Sequence, residues 1–302
     1  MRRFLALSRS THGVLDLAMT GFAALLWLGH FPAWWVLLVA LVTAAAGYTA
    51  LYTLNDLIGV KTDREKFAGT SINPGYAVEA SELRHPIAQG KLSLGGGIAW
   101  FAFWYLIALA GAWFLNPFLV IVVLAAPVLE TAYCLLLKVT YWRALVSGLV
   151  KALGPVAAVL VVVPRPALLW LGLMIAWLVT WEIGGQNIPA DWNDVEEDRR
   201  ISARTIPVVF GAHIAAVVVI AMLLATVALG FLLPIMSPLE LGLPYQLATF
   251  AAGLFLLLLP GARLLVSHEE RQAARLFDRA SLYPIVQLAI ITIFVLTQHG
   301  GA

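Results

Sequence analysis

An all-α fold is predicted: a polytopic membrane bundle of about nine transmembrane helices around a central cavity, capped on the cytoplasmic side by the loops after helices 2 and 6. Three observations carry this. Apolar residues make up 61% of the chain and charged ones only 12%, with a mean hydropathy of +0.89, whereas a soluble globule is typically about one quarter charged. Apolar runs of spanning length recur, and a helix needs about 20 mostly apolar residues to cross a bilayer. The runs lack the alternation of barrel strands, and backbone polar groups in lipid must be satisfied within the segment, so helices are the spanning form.

Taken in order, Phe4-Leu5-Ala6-Leu7 after Met1-Arg2-Arg3 is too short for a signal peptide and is broken by Ser8-Arg9-Ser10, so it reads as an interfacial lead-in. The spans run over about 14–30, 32–54, 94–115, 117–137, 144–163, 166–188, 208–233, 243–266 and 281–298, punctuated by Pro117, Pro164, Pro166, Pro234, Pro238 and Pro244. Of the 19 Lys and Arg, all but Lys151, within a span, and Arg165 fall on one side of this arrangement. The side rich in Lys and Arg is the inner one. The N-terminus is therefore expected in the cytoplasm and the C-terminus outside, in a prokaryotic inner (plasma) membrane. The chain forms one domain, 1–302, with two same-side repeats at roughly 14–137 and 144–266 and a final helix at 281–298; a parallel duplication argues against the inverted repeats of many transporters. Residues 64–92 are long for a connector and are expected to form a lid, with a short cap helix near 79–83. The charged stretch 267–280 is expected to lie along the inner interface without chemistry. The single cysteine, Cys134, allows no intrachain disulfide. Membrane lipids surround the chain, and no nucleic-acid partner is expected.

Two acidic stretches organise the rest. Asn55 to Asp63 follows the second apolar run, and Asp191 to Asp198 follows the sixth. Helical spacing puts Asp191, Asp194 and Asp198 on one face, and Asp56 and Asp63 two turns apart with Asn55 adjacent. Clustered carboxylates repel and regain protons unless a cation sits among them. With no His or Cys nearby in sequence, hard oxygen ligands select Mg²⁺, which shares its coordination with phosphate oxygens. A single such stretch also fits a solvated loop balanced by Arg64, Arg199 and Arg200. Lys61, Arg84 and Lys138, the last five residues after Tyr133, lie at the same level and complete an anion site, while Arg143 reads as positive-inside flanking. Lys151 and Glu182 sit within spans, either facing the cavity or paired in the bundle; Asp16 and Glu130 are similar candidates. Tyr52 and Tyr133 offer ring faces to a passing carbocation.

These residues resemble the UbiA superfamily of intramembrane prenyltransferases over nearly the whole chain. The family's first motif, Asn-Asp-x-x-Asp-x-x-x-Asp, is matched by Asn55, Asp56 and Asp63, with Gly59 in place of the middle Asp. A water, Glu65 or a weaker metal site are the alternatives there. Asp194 and Asp198 meet the second motif, Asp-x-x-x-Asp, with Asp191 upstream and Ser202 where the family has Gly. Arg84-His85-Pro86-Ile87 and Gln89 to Ser93 resemble its Arg-Pro-Leu…Gly-x-Ile-Ser element. The resemblance implies Mg²⁺-dependent transfer of an isoprenyl group from an allylic isoprenyl diphosphate to a lipid-soluble acceptor. It implies Asn55, Asp56, Asp63, Asp191, Asp194 and Asp198 as metal residues, with Asp56, Asp63, Asp194 and Asp198 the catalytic core. Lys61, Arg84, Tyr133, Lys138 and Lys151 then bind substrate. A terpene cyclase or an inactive relative is the alternative within this fold, and an ion-coupled transporter the alternative outside it. The Asp-Gly-x-x-Ala-Arg pattern of CDP-alcohol phosphotransferases does not occur.

Overall fold

The computed structural model describes residues 2–67 and 85–299, and every regular element among them is helical. Arg84 and the expected cap helix near 79–83 lie outside the described residues. A lead-in helix, α1 (Arg2–Leu7), precedes α2 (Ser10–Leu28). Then come α3 (Trp34–Phe67), α4 (Leu94–Leu115), α5 (Leu119–Leu135), α6 (Arg143–Val162) and α7 (Leu168–Trp181). A π-helical turn at Glu182–Asn187 joins α7 to the short helices α8 (Ile188–Asn193) and α9 (Val195–Arg200). The bundle is completed by α10 (Ile206–Gly230), α11 (Leu243–Gly253), a second π turn at Leu254–Leu258, α12 (Leu259–Ser267) and α13 (Glu270–His299).

Among the described residues, eight helical stretches are long and apolar enough to cross a membrane, and α2, with a shorter apolar part at His12–Leu28, supplies the remaining predicted span. The chain is an integral membrane protein. Trp34, Phe103, Trp113, Phe114 and Leu168 are exposed on the lipid-facing surface, while Phe22, Leu26, Trp177, Leu257 and Tyr283 are buried between helices. The ends follow local chemistry. Gly29, at φ +77°, closes α2 by donating its N–H to Leu25 O at 2.8 Å, a left-handed cap that glycine adopts without strain. Ser93 starts α4 by accepting the Gly96 N–H at 3.1 Å, satisfying one orphan donor.

Two expectations are corrected. The first acidic stretch is no loop: α3 runs without interruption through Asn55 and Asp63 to Phe67. No proline breaks it, and its 34 residues span about 51 Å against a hydrocarbon core of about 30 Å. The last turns therefore leave the bilayer as helix. Likewise, 267–280 is not a separate interfacial segment, because α13 continues from Glu270 to His299. Ala273, Leu276, Phe277 and Ala280 are buried on its inner side, so the charged half is docked against the bundle and Phe277 reaches the cavity.

Helices approach closely where the side chain is a hydrogen. A Cβ on Gly148 of α6 would stand 2.9 Å from Val179 Cα of α7, and one on Gly185 would stand 2.9 Å from Ala280 Cβ of α13. Small residues allow such contact in membranes, where lipid supplies no hydrophobic drive for association. Gly148→Ala is expected to lower the melting temperature in detergent by overpacking a backbone contact, at a cost of about 1–3 kcal/mol. Gly172→Ala, whose added Cβ meets nothing within 4 Å, is expected to be neutral or stabilising; equal melting temperatures would contradict the close packing.

Candidate metal and diphosphate site

One cavity of about 460 Å³ opens at the end of the bundle where both acidic stretches lie. Helix α3 brings Asn55, Gly59, Asp63 and Lys66 to its wall, one face of a helix repeating every three to four residues. Across it stand Asp191 and Asp194, delivered by α8 and the turn after it. Asp198 follows on α9, its N–H donating to Asp194 O at 2.8 Å. This turn is fixed from behind: Ala203 N–H donates to Asp198 O at 2.9 Å and Arg204 N–H to Leu137 O at 2.7 Å. Between them Ser202 takes φ +58°, the left-handed backbone that glycine reaches most easily, which accounts for the glycine of the similar motif at that position.

The two stretches are joined directly. Lys66 Nζ on α3 lies 2.6 Å from Asp198 Oδ1 and 3.8 Å from Asp194 Oδ2. Burial raises the pKa of the Asp198 carboxyl above its usual value, with Lys66 opposing the shift. Arg143 is likewise part of the site rather than a flanking charge. It is buried, its Nη1 donates to Asp191 Oδ1 at 3.0 Å, and its guanidinium lies 4.0 Å over the Tyr133 ring. That ring face already holds a cation, and the Tyr133 hydroxyl accepts from Asn187 Nδ2 at 3.2 Å.

His85 joins the first acidic stretch. Distant in sequence from both stretches, it folds back so that Nδ1 lies 2.7 Å from Asp56 Oδ1 and 3.0 Å from Asp63 Oδ2. Ligand atoms of the three residues all lie within 4.8 Å of one another. The expectation of a cluster without histidine is thus corrected. Burial disfavours the charged ring, but the Asp63 and Asp56 carboxylates outweigh it and push the His85 pKa up to about 9. Beside them the missing side chain of Gly59 is felt: a Cβ there would meet Asp63 Oδ2 at 2.8 Å.

The other residues singled out in sequence take different places. Asn55 lines the cavity, donating Nδ2 to Glu130 Oε1 at 2.6 Å, with Arg9 Nη2 at 3.4 Å from its Oδ1. Lys61 is exposed at the cavity wall. Lys138 pairs with Glu65 at 2.6 Å, both about two-fifths exposed, so Glu65 is turned to a lysine in place of the gap at Gly59. Lys151 faces the cavity, held by Asp16 Oδ1 and Oδ2 at 2.9 and 2.8 Å and by Tyr52 Oη at 2.7 Å. Tyr52 precedes Asp63 by three helical turns, about 16 Å along α3, so this cluster forms a deeper polar floor. Glu182 belongs to it, accepting from Ser147 Oγ at 2.6 Å through Oε1. Its buried Oε2 accepts no hydrogen bond. The π turn at Glu182–Asn187 carries Gln186 and Asn187 to the same wall, as such turns often do at functional sites. A second, apolar cavity of about 130 Å³ lies among α3 to α6 and shares Tyr48, Leu51 and Val150 with the first. Sequence reasoning passed over Lys66 and His85 as site residues. Lys66 lies three residues past Asp63, one turn further along the same helix, and His85 stands between the Arg and the Pro of the Arg-Pro element.

Apolar helices closed around a cavity whose mouth carries acids clasped by cations define a membrane protein with a charged site at one end of its bundle. The chain belongs to the UbiA prenyltransferase family, whose model matches residues 17–285. No curated protein sequence matches it. Solved structures share the fold. A UbiA homologue of Aeropyrum pernix K1 in its apo form superposes with a TM-score of 0.74 at 19% identity, covering 93% of this chain and 97% of that one. A digeranylgeranylglyceryl phosphate synthase gives 0.70 at 14% identity over 98% of both chains. A UbiA homologue of Archaeoglobus fulgidus bound to DMAPP and Mg²⁺ gives 0.69 at 16% identity, over 96% and 99%.

Arg143→Ala is expected to leave the Asp191 carboxylate buried without its partner and to lower the unfolding free energy by about 3–5 kcal/mol. Removing both partners is expected to cost less. A loss under about 1 kcal/mol, as for a surface pair, would show that Arg143 is not the buried counter-ion of Asp191.

Proposed function

We propose that the protein transfers an isoprenyl group from an allylic isoprenyl diphosphate to a lipid-soluble acceptor, with Mg²⁺ held by the two acidic stretches. The observation that carries this reading is that both stretches face one cavity, with Lys66 of the first touching Asp194 and Asp198 of the second. The donors fit a hard divalent ion. Asp56 Oδ2 and Asp198 Oδ2 are buried yet accept no hydrogen bond, and a buried carboxylate oxygen is costly unless it is paired or bound to a metal. Asn55, Asp56 and Asp63 on one side and Asp191, Asp194 and Asp198 on the other would hold the metal. Mg²⁺ bound there supplies Lewis-acid stabilisation of the negative charge on the departing diphosphate. Support also comes from the Archaeoglobus fulgidus homologue, whose fold is shared and which is bound to DMAPP and Mg²⁺.

The chain's own residues do the rest. Lys66 and Arg143 neutralise the acids so that an anion is admitted, Lys61 and Lys138 supply further positive charge, and Tyr133 offers a hydroxyl at the cavity wall. Fixed cations aimed at the leaving group lower the barrier without reorganising during reaction. The allylic C–O bond breaks with its electron pair leaving on diphosphate, and the acceptor's nucleophilic atom forms the new bond and loses a proton. The apolar cavity among α3 to α6 takes the isoprenyl chain, and the floor of Lys151, Asp16, Tyr52 and Glu182 receives the polar part of the acceptor. The N-terminus and the acidic stretches face the cytoplasm, where the lysines and arginines gather.

Membranes containing the protein are expected to release diphosphate from an allylic isoprenyl diphosphate only with Mg²⁺ and an acceptor. Asp194→Ala is expected to lower the rate about 100-fold or more. Near-normal turnover in that variant would overturn the metal assignment, and release that needs no acceptor would mark a cyclase instead.

A further inference from the structure

We propose that His85 is a nitrogen ligand of the first metal beside Asp56 and Asp63, making up in number for the ligand that Gly59 cannot supply. The inference rests on the metal-dependent reading above and concerns how this chain completes its centre. The geometry has the required form. In an octahedral shell with bonds of about 2.1 Å, neighbouring ligand atoms stand about 3.0 Å apart. His85 Nδ1 is 2.7 Å from Asp56 Oδ1 and 3.0 Å from Asp63 Oδ2, so one ion can bridge all three atoms with little movement. Asp56 is 3% exposed, and its Oδ2 accepts no hydrogen bond, which leaves a further oxygen for the shell.

The ring is also held in place beforehand. His85 takes φ +51°, a backbone conformation that a non-glycine residue keeps only where its surroundings enforce it. The turn behind it does so: Gln89 N–H donates to His85 O at 3.2 Å, and Lys91 and Leu92 N–H donate to Pro86 O at 2.9 and 3.1 Å. Ile87, 1% exposed, locks the turn into α4, where a Cβ on Gly97 would meet its Cδ1 at 2.5 Å. On metal binding the ring proton goes to solvent and the Nδ1 lone pair takes the ion. A centre of two carboxylates and an imidazole departs from the all-oxygen set that suits Mg²⁺. It gains in relative affinity for Mn²⁺ and Co²⁺, for which a nitrogen ligand is favourable.

The test uses the full chain purified in detergent, with Mn²⁺ and inorganic pyrophosphate as probes, read by electron spin-echo modulation of the bound ion. Imidazole-nitrogen modulation is expected in the wild type, is expected to change pattern when the protein carries ¹⁵N-histidine, and is expected to persist in His12→Phe, which removes another histidine of the cavity wall. In His85→Leu it is expected to vanish, with Mn²⁺ binding roughly 10- to 100-fold weaker. Gly59→Asp/His85→Leu is expected to regain affinity without nitrogen and to lose at least about tenfold in preference for Mn²⁺ over Mg²⁺. The added Cβ would stand 2.8 Å from Asp63 Oδ2, so the Asp63 carboxylate, freed of its contact with the His85 ring in this double variant, shifts to admit it. Bound Mn²⁺ without imidazole modulation in the wild type would overturn the proposal and leave the metal reading intact. Failure of the wild type to bind Mn²⁺ at all would overturn both. Should His85→Leu not fold, the isotope comparison on the wild type decides by itself.

Discussion

Charge neutralisation inside a helical bundle is the constraint on which the rest of this structure depends. Each ion taken out of water costs several kcal/mol, and only well-placed partners restore it. The protein gathers Asp16, Asp63, Glu130, Glu182, Asp191 and Asp194 at the wall of a single cavity, with Asp56 and Asp198 paired to His85 and Lys66 of that wall, and the ion pairs of Lys66, His85, Arg143 and Lys151 hold the set together. Each of the four comes from a different helix or turn than the acid it meets. The ion pairs therefore tie α3 to α9, the turn after residue 84 to α3, α6 to α8 and α6 to α2, and the cavity cannot form without the bundle being closed.

The same pairs stratify the cavity. At the mouth, buried oxygens of Asp56 and Asp198 accept no hydrogen bond. Three turns further in, Asp16 and Lys151 are matched one to one. The clustered acids sit where α3 has outrun the hydrocarbon, and the Asp16–Lys151 pair sits where desolvation is harsher. The small-residue contacts at Gly148 and Gly185 serve this arrangement by bringing α6, α7 and α13 near enough for short side chains to meet.

Much of this was legible in the sequence, because the signals were periodic or local. Apolar runs about 20 residues long, breakers between them and the one-sided distribution of lysine and arginine gave the spans. Two acidic stretches of similar form pointed to what became one cavity wall. What escaped was long-range. Arg143 begins an apolar helix, and flanking charges there are usually solvated; only the fold shows it lying between Asp191 and Tyr133. His85 is silent in sequence because its partners belong to α3, more than twenty residues away. The run from 55 to 67 looked like a connector because its residues are charged, yet helix propensity does not distinguish a solvated helix from a loop when no proline or cap intervenes. The same polarity misplaced the first half of α13, whose inner face of Ala273, Leu276 and Phe277 was diluted by the arginines around it.

The π turn at Glu182–Asn187 has a rotational meaning. Such a turn amounts to one residue too many in an α-helix, and each residue turns the helix by about 100°. Shortened by that residue, the segment after α7 would swing Asp191 out of register with Arg143 and away from α3. The acids of the second stretch would then point elsewhere while every apolar span kept its length and composition. Phase along a single helix, a property invisible to hydropathy, is what aligns one half of the cavity mouth with the other.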